Sequence, residues 1–444
     1  MAQAPLSTTE FALENQPLGG LQIRVAAICT LIQMCDGYDV GSIGWAVPSL
    51  THAWHLAPPA FALAFLWSNL GVMAGALLSG PIGDRFGRKP LLIASIAIFG
   101  LASLLSAFAP SLGVLSALRF FTGFGIAGGF TGTTALTGDY TPQRLRATMI
   151  MVTFTGAPIG GFVGGQVVAL LLHRGFGWPI IFVIGGVFPL ALLLIMALWL
   201  PESPRFLVAS RSLPPRHRAL LQRLGIAPDT AGPQRVDIAR ENPVKMLFGE
   251  GYALQTLLLW LIFFCSLINL YLFLFWLPEI LHLTGLTPPQ AVFATSLHAL
   301  GAIAAVLYLG FLIDRYRPER ALALHYAAGI VFIALIAVVA MPYFALLAVV
   351  FFSGMTIIGS QTGANATAGA LYPARMRTSG IGWALGIGRL GGIAAAPLGG
   401  FLLARGLPPR QIFLSACVFA MVAAVATALL ALRGRQQQPA AAPG

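Results

Sequence analysis

Long apolar runs separated by short polar turns dominate the chain. Runs of roughly 20 residues, the length that crosses about 30 Å of hydrocarbon, predict twelve spans. They fall near 23–47, 60–80, 90–109, 112–137, 148–172, 179–200, 254–277, 290–313, 321–341, 343–365, 380–404 and 411–432. In lipid the backbone amides must bond internally, so the runs are helices rather than strands, and Gly or Pro within them marks close packing or bends. The predicted fold class is therefore an all-α membrane protein. The pattern also repeats. Gly80-Pro-Ile-Gly-Asp84-Arg85-Phe-Gly-Arg88-Lys89 returns as Gly310-Phe-Leu-Ile-Asp314-Arg315-Tyr-Arg317-Pro-Glu-Arg320, and Ala157-Pro158-Ile-Gly160-Gly161-Phe162 returns as Ala396-Pro397-Leu-Gly399-Gly400-Phe401. These echoes predict two pseudo-symmetric six-helix bundles, 23–200 and 252–432, with tails at 1–22 and 433–444 and a polar linker at 201–251. Within the linker, short amphipathic pieces around 216–224 are expected to rest on the membrane surface. Halves repeated in this way point to transport.

Composition narrows the picture. Hydrophobic residues make up 57% of the chain and charged residues only 9%, too little charge for a soluble domain. Of the 26 Lys and Arg, three fall in loops on one side (Arg174, Arg405, Arg410) and two inside spans (Arg119, Arg389). The rest lie on the other side, which is thus predicted to be cytoplasmic, with both termini there and the protein in a bacterial inner membrane. That bias accounts for the net charge of +12, and no nucleic-acid motif accompanies it. Cys29, Cys35, Cys265 and Cys417 sit in apolar spans without metal-ligand or redox spacing and read as structural thiols. The first 20 residues are polar and show no removable signal peptide. No nucleophile–base set, metal cluster or phosphate loop is present in the sequence, so neither an enzyme nor a cofactor is expected.

Charge inside a bilayer is costly, which makes each buried ionisable residue a functional candidate. Asp36 and Asp39 are three residues apart on one helix face, with Asp36 roughly 18–20 Å from the cytoplasmic end of its span. Two close carboxylates in poorly solvated surroundings exchange protons readily, and the pair is the candidate proton carrier; pairing with an arginine or capping is the alternative. Gly37 between them leaves room for another helix or for substrate. Arg119, followed by Gly123, Gly125, Gly128 and Gly129, is able to contact a substrate anion, pair with Asp36 or Asp39, or brace its helix. Arg389, flanked by Gly386, Gly388, Gly391 and Gly392, is the first choice for an anion anchor, because a guanidinium forks onto both oxygens of a carboxylate; a structural partner to a buried acid is the competing account. Tyr38, Trp45, Tyr271, Phe275, Trp276 and Trp383 are candidate walls for a planar ligand. On the cytoplasmic side Asp84, Arg85, Arg88 and Lys89 lie level with Asp139, Arg144 and Arg146, and Asp314 and Arg315 repeat the kit in the second half. These charges form a candidate gate network, since single surface ion pairs are weak.

At these residues the chain resembles the major facilitator superfamily. Gly80 to Lys89 is similar to its G-x-x-x-D-R-x-G-R-K loop, and Pro201-Glu202-Ser203-Pro204-Arg205 to the P-E-S-P-R after helix six of sugar porters and aromatic-acid symporters. Asp36-Gly-Tyr-Asp39 resembles the D-G-x-D of the aromatic acid:proton symporters. So do Arg119 followed by Asp139-Tyr-Thr-Pro142-Gln-Arg144-Leu-Arg146, and Gly388-Arg389 with Pro397. Two departures, Phe130-Thr131-Gly132 in span four and Glu319 where a His is common, bear on the substrate. The resemblance implies a proton-coupled importer of a small organic anion of the benzoate or hydroxybenzoate kind, working by alternating access as a monomer in lipid. A sugar or polyol symporter, an exporter of drugs or metabolites, and a non-transporting membrane sensor are the alternatives.

Overall fold

The computed structural model describes residues 19–209, 215–224, 247–249, 252–315, 318–339, 341–372 and 374–436, and these are helical throughout apart from short connections. The helices are α1 (Gly20–Trp54), α2 (Ala62–Phe86), α3 (Arg88–Ser106), α4 (Leu112–Tyr140), α5 (Gln143–Phe154), α6 (Gly156–His173), α7 (Pro179–Trp199), α8 (Pro204–Ala209) and α9 (Pro215–Arg223), then α10 (Ala253–Leu283), α11 (Pro288–Arg315), α12 (Pro318–Val338), α13 (Tyr343–Leu371), α14 (Ala374–Ala404) and α15 (Pro409–Gln436). Among the described residues, ten helical stretches are long and apolar enough to cross a membrane. Of the twelve predicted places, the other two are occupied by α1 and α11, which are long enough but are not among the ten. Leu77, Phe108, Leu198 and Phe344 are 71%, 75%, 78% and 82% exposed. Leaving each of these in water forgoes roughly 1.5–3 kcal/mol of burial, so a shell of this kind belongs in lipid.

Local chemistry sets the helix ends. Three helices, α6, α10 and α14, stop in the same way: Gly175, Gly285 and Gly406 have φ of 88°, 108° and 68°. The amide of the next residue (Phe176, Leu286, Leu407) reaches back to the carbonyl of Leu171, Leu281 or Leu402. This is the Schellman turn, which satisfies the last carbonyls and needs the left-handed backbone that glycine adopts freely. The fifth span, predicted near 148–172, is found as Thr148–His173, with a one-residue irregularity at Thr155 between α5 and α6. Pro158 lacks the N–H that would bond to the carbonyl of Phe154, four residues back, and the irregularity falls between these two residues. Its counterpart Pro397 lies inside an unbroken α14.

By contacts the chain divides into two compact units. Unit 1 comprises Met1–Asp39, Trp67–Gly160 and Pro179–Ile238, and unit 2 comprises Val40–Leu66, Gly161–Trp178 and Ala239–Gly444. The core of unit 1 joins Val25, Ile28 and Ile32 of α1 to Leu92, Ile96 and Phe99 of α3, Ile126 of α4 and Met196 of α7. Helix α9 forms where an amphipathic piece is predicted. Its Leu221, with Leu224 just beyond it, is buried in this same core rather than laid on a membrane surface, because those leucines find a protein face to cover. Residue 37 is where α1 meets α6. A Cβ at Gly37 would overlap the backbone carbonyl of Ala157, and one at Gly160 that of Met34. The space left by Gly37 is therefore taken by a helix. The core of unit 2 joins Leu259 and Phe263 of α10 to Leu322 of α12, Ala364 of α13, Ala384 of α14 and Ala423 of α15.

Candidate functional site

Within unit 1, Asp39 and Arg119 meet. The guanidinium Nη1 lies 2.8 Å from the Asp39 carboxylate, with the side chains 0% and 3% exposed. Nη2 donates to Ser106 Oγ at 3.0 Å, and the guanidinium carbon lies 4.9 Å above the ring centre of Phe182. Of the three roles open to Arg119, the geometry is that of the acid partner. Tyr38, next to Asp39, is buried and donates to the carbonyl of Ile181 at 2.6 Å. Asp36 lies one turn earlier, is half-buried, and lines a small pocket, about large enough for a water molecule, with Gln33, Cys35, Phe99 and Phe130. The two carboxylates thus stand in different surroundings, one against a buried cation and the other at a small, mostly apolar pocket.

A second cluster of unit 1 gathers at the basic end. Arg88 Nη2 lies 2.8 Å from Asp84 and its Nε 3.9 Å from Asp139, which also faces Arg205 at 3.5 Å. Ser203 Oγ donates to Asp139 at 2.5 Å. Glu202 Oε1 accepts from the backbone amides of Arg88, Lys89 and Ser203 at 2.8, 3.2 and 2.8 Å. A carboxylate there caps the first turn of α3, where free amides and the helix dipole both favour negative charge. Gly87 makes the approach possible: its φ is 103°, and a Cβ would collide with the Glu202 carboxylate. The structure brings together Asp84, Arg88 and Asp139 of the predicted network. Arg85 is exposed and lies over the ring of Phe86, and Arg146 donates to the Gly138 carbonyl. The side chains of Arg144, Asp314 and Arg315 lie outside the described residues. Sequence reasoning left out Glu202, Ser203 and Arg205 from this network, although Pro201-Glu202-Ser203-Pro204-Arg205 stood out as a motif.

Unit 2 holds Arg389 near the middle of α14. It is half-buried and, among the described residues, has no ion-pair or hydrogen-bond partner from the protein. Gly392, three residues on and so on the same face, lies under the ring of Tyr271 from α10, and Gly391 lies against the carbonyl of Phe264. The glycines thus let α10 close on α14 and bring Tyr271 beside the stretch that carries the cation. Tyr271 is half-buried and contacts Phe275 at 5.3 Å. Trp45 and Trp276 are 2% and 0% exposed; Trp276 packs with Phe65 and Gly399, and Trp45 against Gly165. Trp383 is 42% exposed and stacks on Trp260 at 5.9 Å. Glu279, which the sequence reading passed over, is 1% exposed in α10 with Oε2 unbonded and no salt bridge among the described residues. The rule applied to Asp36 and Asp39, a carboxylate inside an apolar run, would have found it.

An all-helical chain with ten stretches among the described residues fit to cross a membrane, charged side chains buried at mid-helix and a charged junction around Gly87 has the build of a membrane transporter. Two segments, residues 29–278 and 259–444, match the family described as Major Facilitator Superfamily, and the chain belongs to it. It is 34% identical over 420 residues to the 4-hydroxybenzoate transporter PcaK of Pseudomonas putida, covering 93% of each chain. It is also 34% identical over 426 residues to the gallate transporter of Pseudomonas putida, covering 95% of this chain and 94% of that one. With the 3-(3-hydroxy-phenyl)propionate transporter of Escherichia coli it shares 31% over 419 residues, 93% and 95% of the two chains. The fold is similar to the D-xylose-proton symporter at a TM-score of 0.71 and 16% identity, over 92% of this chain and 97% of that one. A bacterial homologue of the lysosomal transporter Spinster superposes with a TM-score of 0.71 at 17% identity, over 96% and 100%. The resemblance read from Asp36-Gly-Tyr-Asp39 and the charged loop agrees with these relatives, and the protein is a multi-pass membrane transporter.

Proposed function

We propose that this transporter imports a small aromatic carboxylate of the benzoate or hydroxybenzoate class together with protons, as a monomer in a bacterial inner membrane with both termini cytoplasmic. The observation that carries the reading is Arg389: a guanidinium near the middle of a 31-residue helix, without an acid partner among the described residues, supports a carboxylate supplied by the substrate. Its fork matches two carboxylate oxygens, and Tyr271 offers a ring near the same face. A neutral sugar would leave that cation unmatched. The transporter relatives named above, which act on 4-hydroxybenzoate, gallate and 3-(3-hydroxyphenyl)propionate by name, support the aromatic acid. Asp36 and Asp39 are the proton carriers in this reading. The cluster of Asp84, Arg88, Asp139, Glu202 and Arg205 latches the cytoplasmic end during alternating access.

Uptake of labelled 4-hydroxybenzoate into energised membrane vesicles tests the proposal. Accumulation should collapse with a protonophore. A charge-assisted contact of about 1.5–3 kcal/mol means that Arg389→Ala weakens competition by 4-hydroxybenzoate about 10- to 150-fold, with little change for 4-hydroxybenzamide. Equal losses for acid and amide would make Arg389 a structural residue and remove the argument.

A further inference from the structure

Two histidines close the end of unit 2 opposite the basic loops. His52 is on the last turn of α1 and His282 on the last turn of α10, and their Nε2 atoms are 3.4 Å apart with the rings edge to face. His52 is exposed and His282 half-buried, so solvent reaches both. His282 Nδ1 lies 2.7 Å from the carbonyl of Leu286. A carbonyl only accepts, so Nδ1 carries the hydrogen and the neutral ring presents its Nε2 lone pair to His52. The Schellman turn at Gly285 holds that carbonyl in place. Tethering the distal nitrogen to a carbonyl is how proteins orient metal-binding imidazoles. The spacing suits the same use. Two nitrogens bound to one tetrahedral Zn²⁺ at 2.0–2.1 Å stand about 3.3–3.4 Å apart, and without an ion the rings share a long hydrogen bond at that same separation.

We propose that His52 and His282 form a two-imidazole clamp for a late first-row divalent cation, Zn²⁺ or Ni²⁺, with water in the remaining positions. Among the described residues no group of three or more His, Cys, Asp or Glu could hold a metal. The site is therefore open and reversible rather than a structural zinc centre. Its ligands come from two helices that meet just below: a Cβ at Gly44 of α1 would sit 2.8 Å from the Leu274 carbonyl of α10. A bridging ion ties those helix ends together. If the chain cycles by alternating access, as read above, the tie arrests it.

Protein purified without a histidine tag and titrated calorimetrically with ZnCl₂ in detergent should show a saturable micromolar site. His52→Ala and His282→Ala should each weaken it by roughly tenfold or more, while Mg²⁺, which prefers oxygen ligands, gives no signal. In proteoliposomes, external Zn²⁺ should slow 4-hydroxybenzoate uptake and EDTA should restore it; His52→Ala should keep uptake and lose the inhibition. Zn²⁺ binding that is absent, or unchanged in both variants, overturns the clamp. Failure of the wild type to move 4-hydroxybenzoate would refute the transport reading, while the titration still decides the metal site.

Discussion

The buried pair of Asp39 and Arg119 makes the most exacting prediction. Removing one member of an ion pair sealed from water strands the other charge, at a cost of about 3–5 kcal/mol, while replacing both with apolar residues of similar size is often neutral. Here the side chains are 3% and 0% exposed and 2.8 Å apart, so screening by solvent is small. Ser106, which accepts from Arg119, also donates to the carbonyl of Ala102 at 2.8 Å and is not stranded when Arg119 goes. Asp39→Leu and Arg119→Met should each lose about 3–5 kcal/mol, read as a lowered thermal midpoint by fluorescence-detected size exclusion in detergent. The double variant should recover most of that loss. Uptake then separates two roles: if Asp39 carries a proton, the double variant is stable but does not accumulate substrate, and if Asp39 only neutralises Arg119, both properties return. Additive losses in the double variant would refute the reasoning, because they would mean that the pair is not coupled.

Other expectations follow from the same geometry. Asp84 is 75% exposed and pairs with Arg88 across the Gly87 junction between α2 and α3, an exposed pair worth about 0–1 kcal/mol, whereas Asp139 is 12% exposed and faces Arg88, Arg205 and Ser203. Asp139→Asn should therefore slow uptake more than Asp84→Asn, and the reverse order in initial rates would contradict the latch. Gly37→Ala should sharply lower the yield of folded protein, because the new methyl meets backbone, while Gly386→Ala, with nothing within 4 Å, should be neutral; size-exclusion profiles compare the two. Glu279→Gln should leave the thermal midpoint unchanged or raised, since no salt bridge is lost, and a large drop would reveal a partner that Glu279 holds.

Span positions were legible because one requirement, internal hydrogen bonding in lipid, governs them. Helix ends were less so. α1 runs to Trp54 and α13 to Leu371, past the apolar runs that predicted 23–47 and 343–365, because a helix continues into polar surroundings wherever packing supports it. The irregularity before Pro158 needed a proline to be weighed against its surroundings, since Pro397 sits in the same repeated motif without one. At the site, Asp36, Asp39, Arg119 and Arg389 were legible as charges in apolar runs. That Asp39 takes Arg119 while Arg389 has no acid among the described residues was not, because pairing depends on which helix faces meet. Glu202 shows the same limit: its work is done on backbone amides of α3, some 114 residues away in sequence, and amides carry no sequence signal.

The contrast between the two proline motifs has a mechanical side. The fifth span lacks one rung of its hydrogen-bond ladder at Pro158, where no N–H faces the Phe154 carbonyl. α14 is one shaft of about 46 Å at 1.5 Å per residue, running through Pro397 with Arg389 at mid-length. A tilt imposed at Ala374 is levered straight to the guanidinium, and any ligand clasped there feels the stroke without delay.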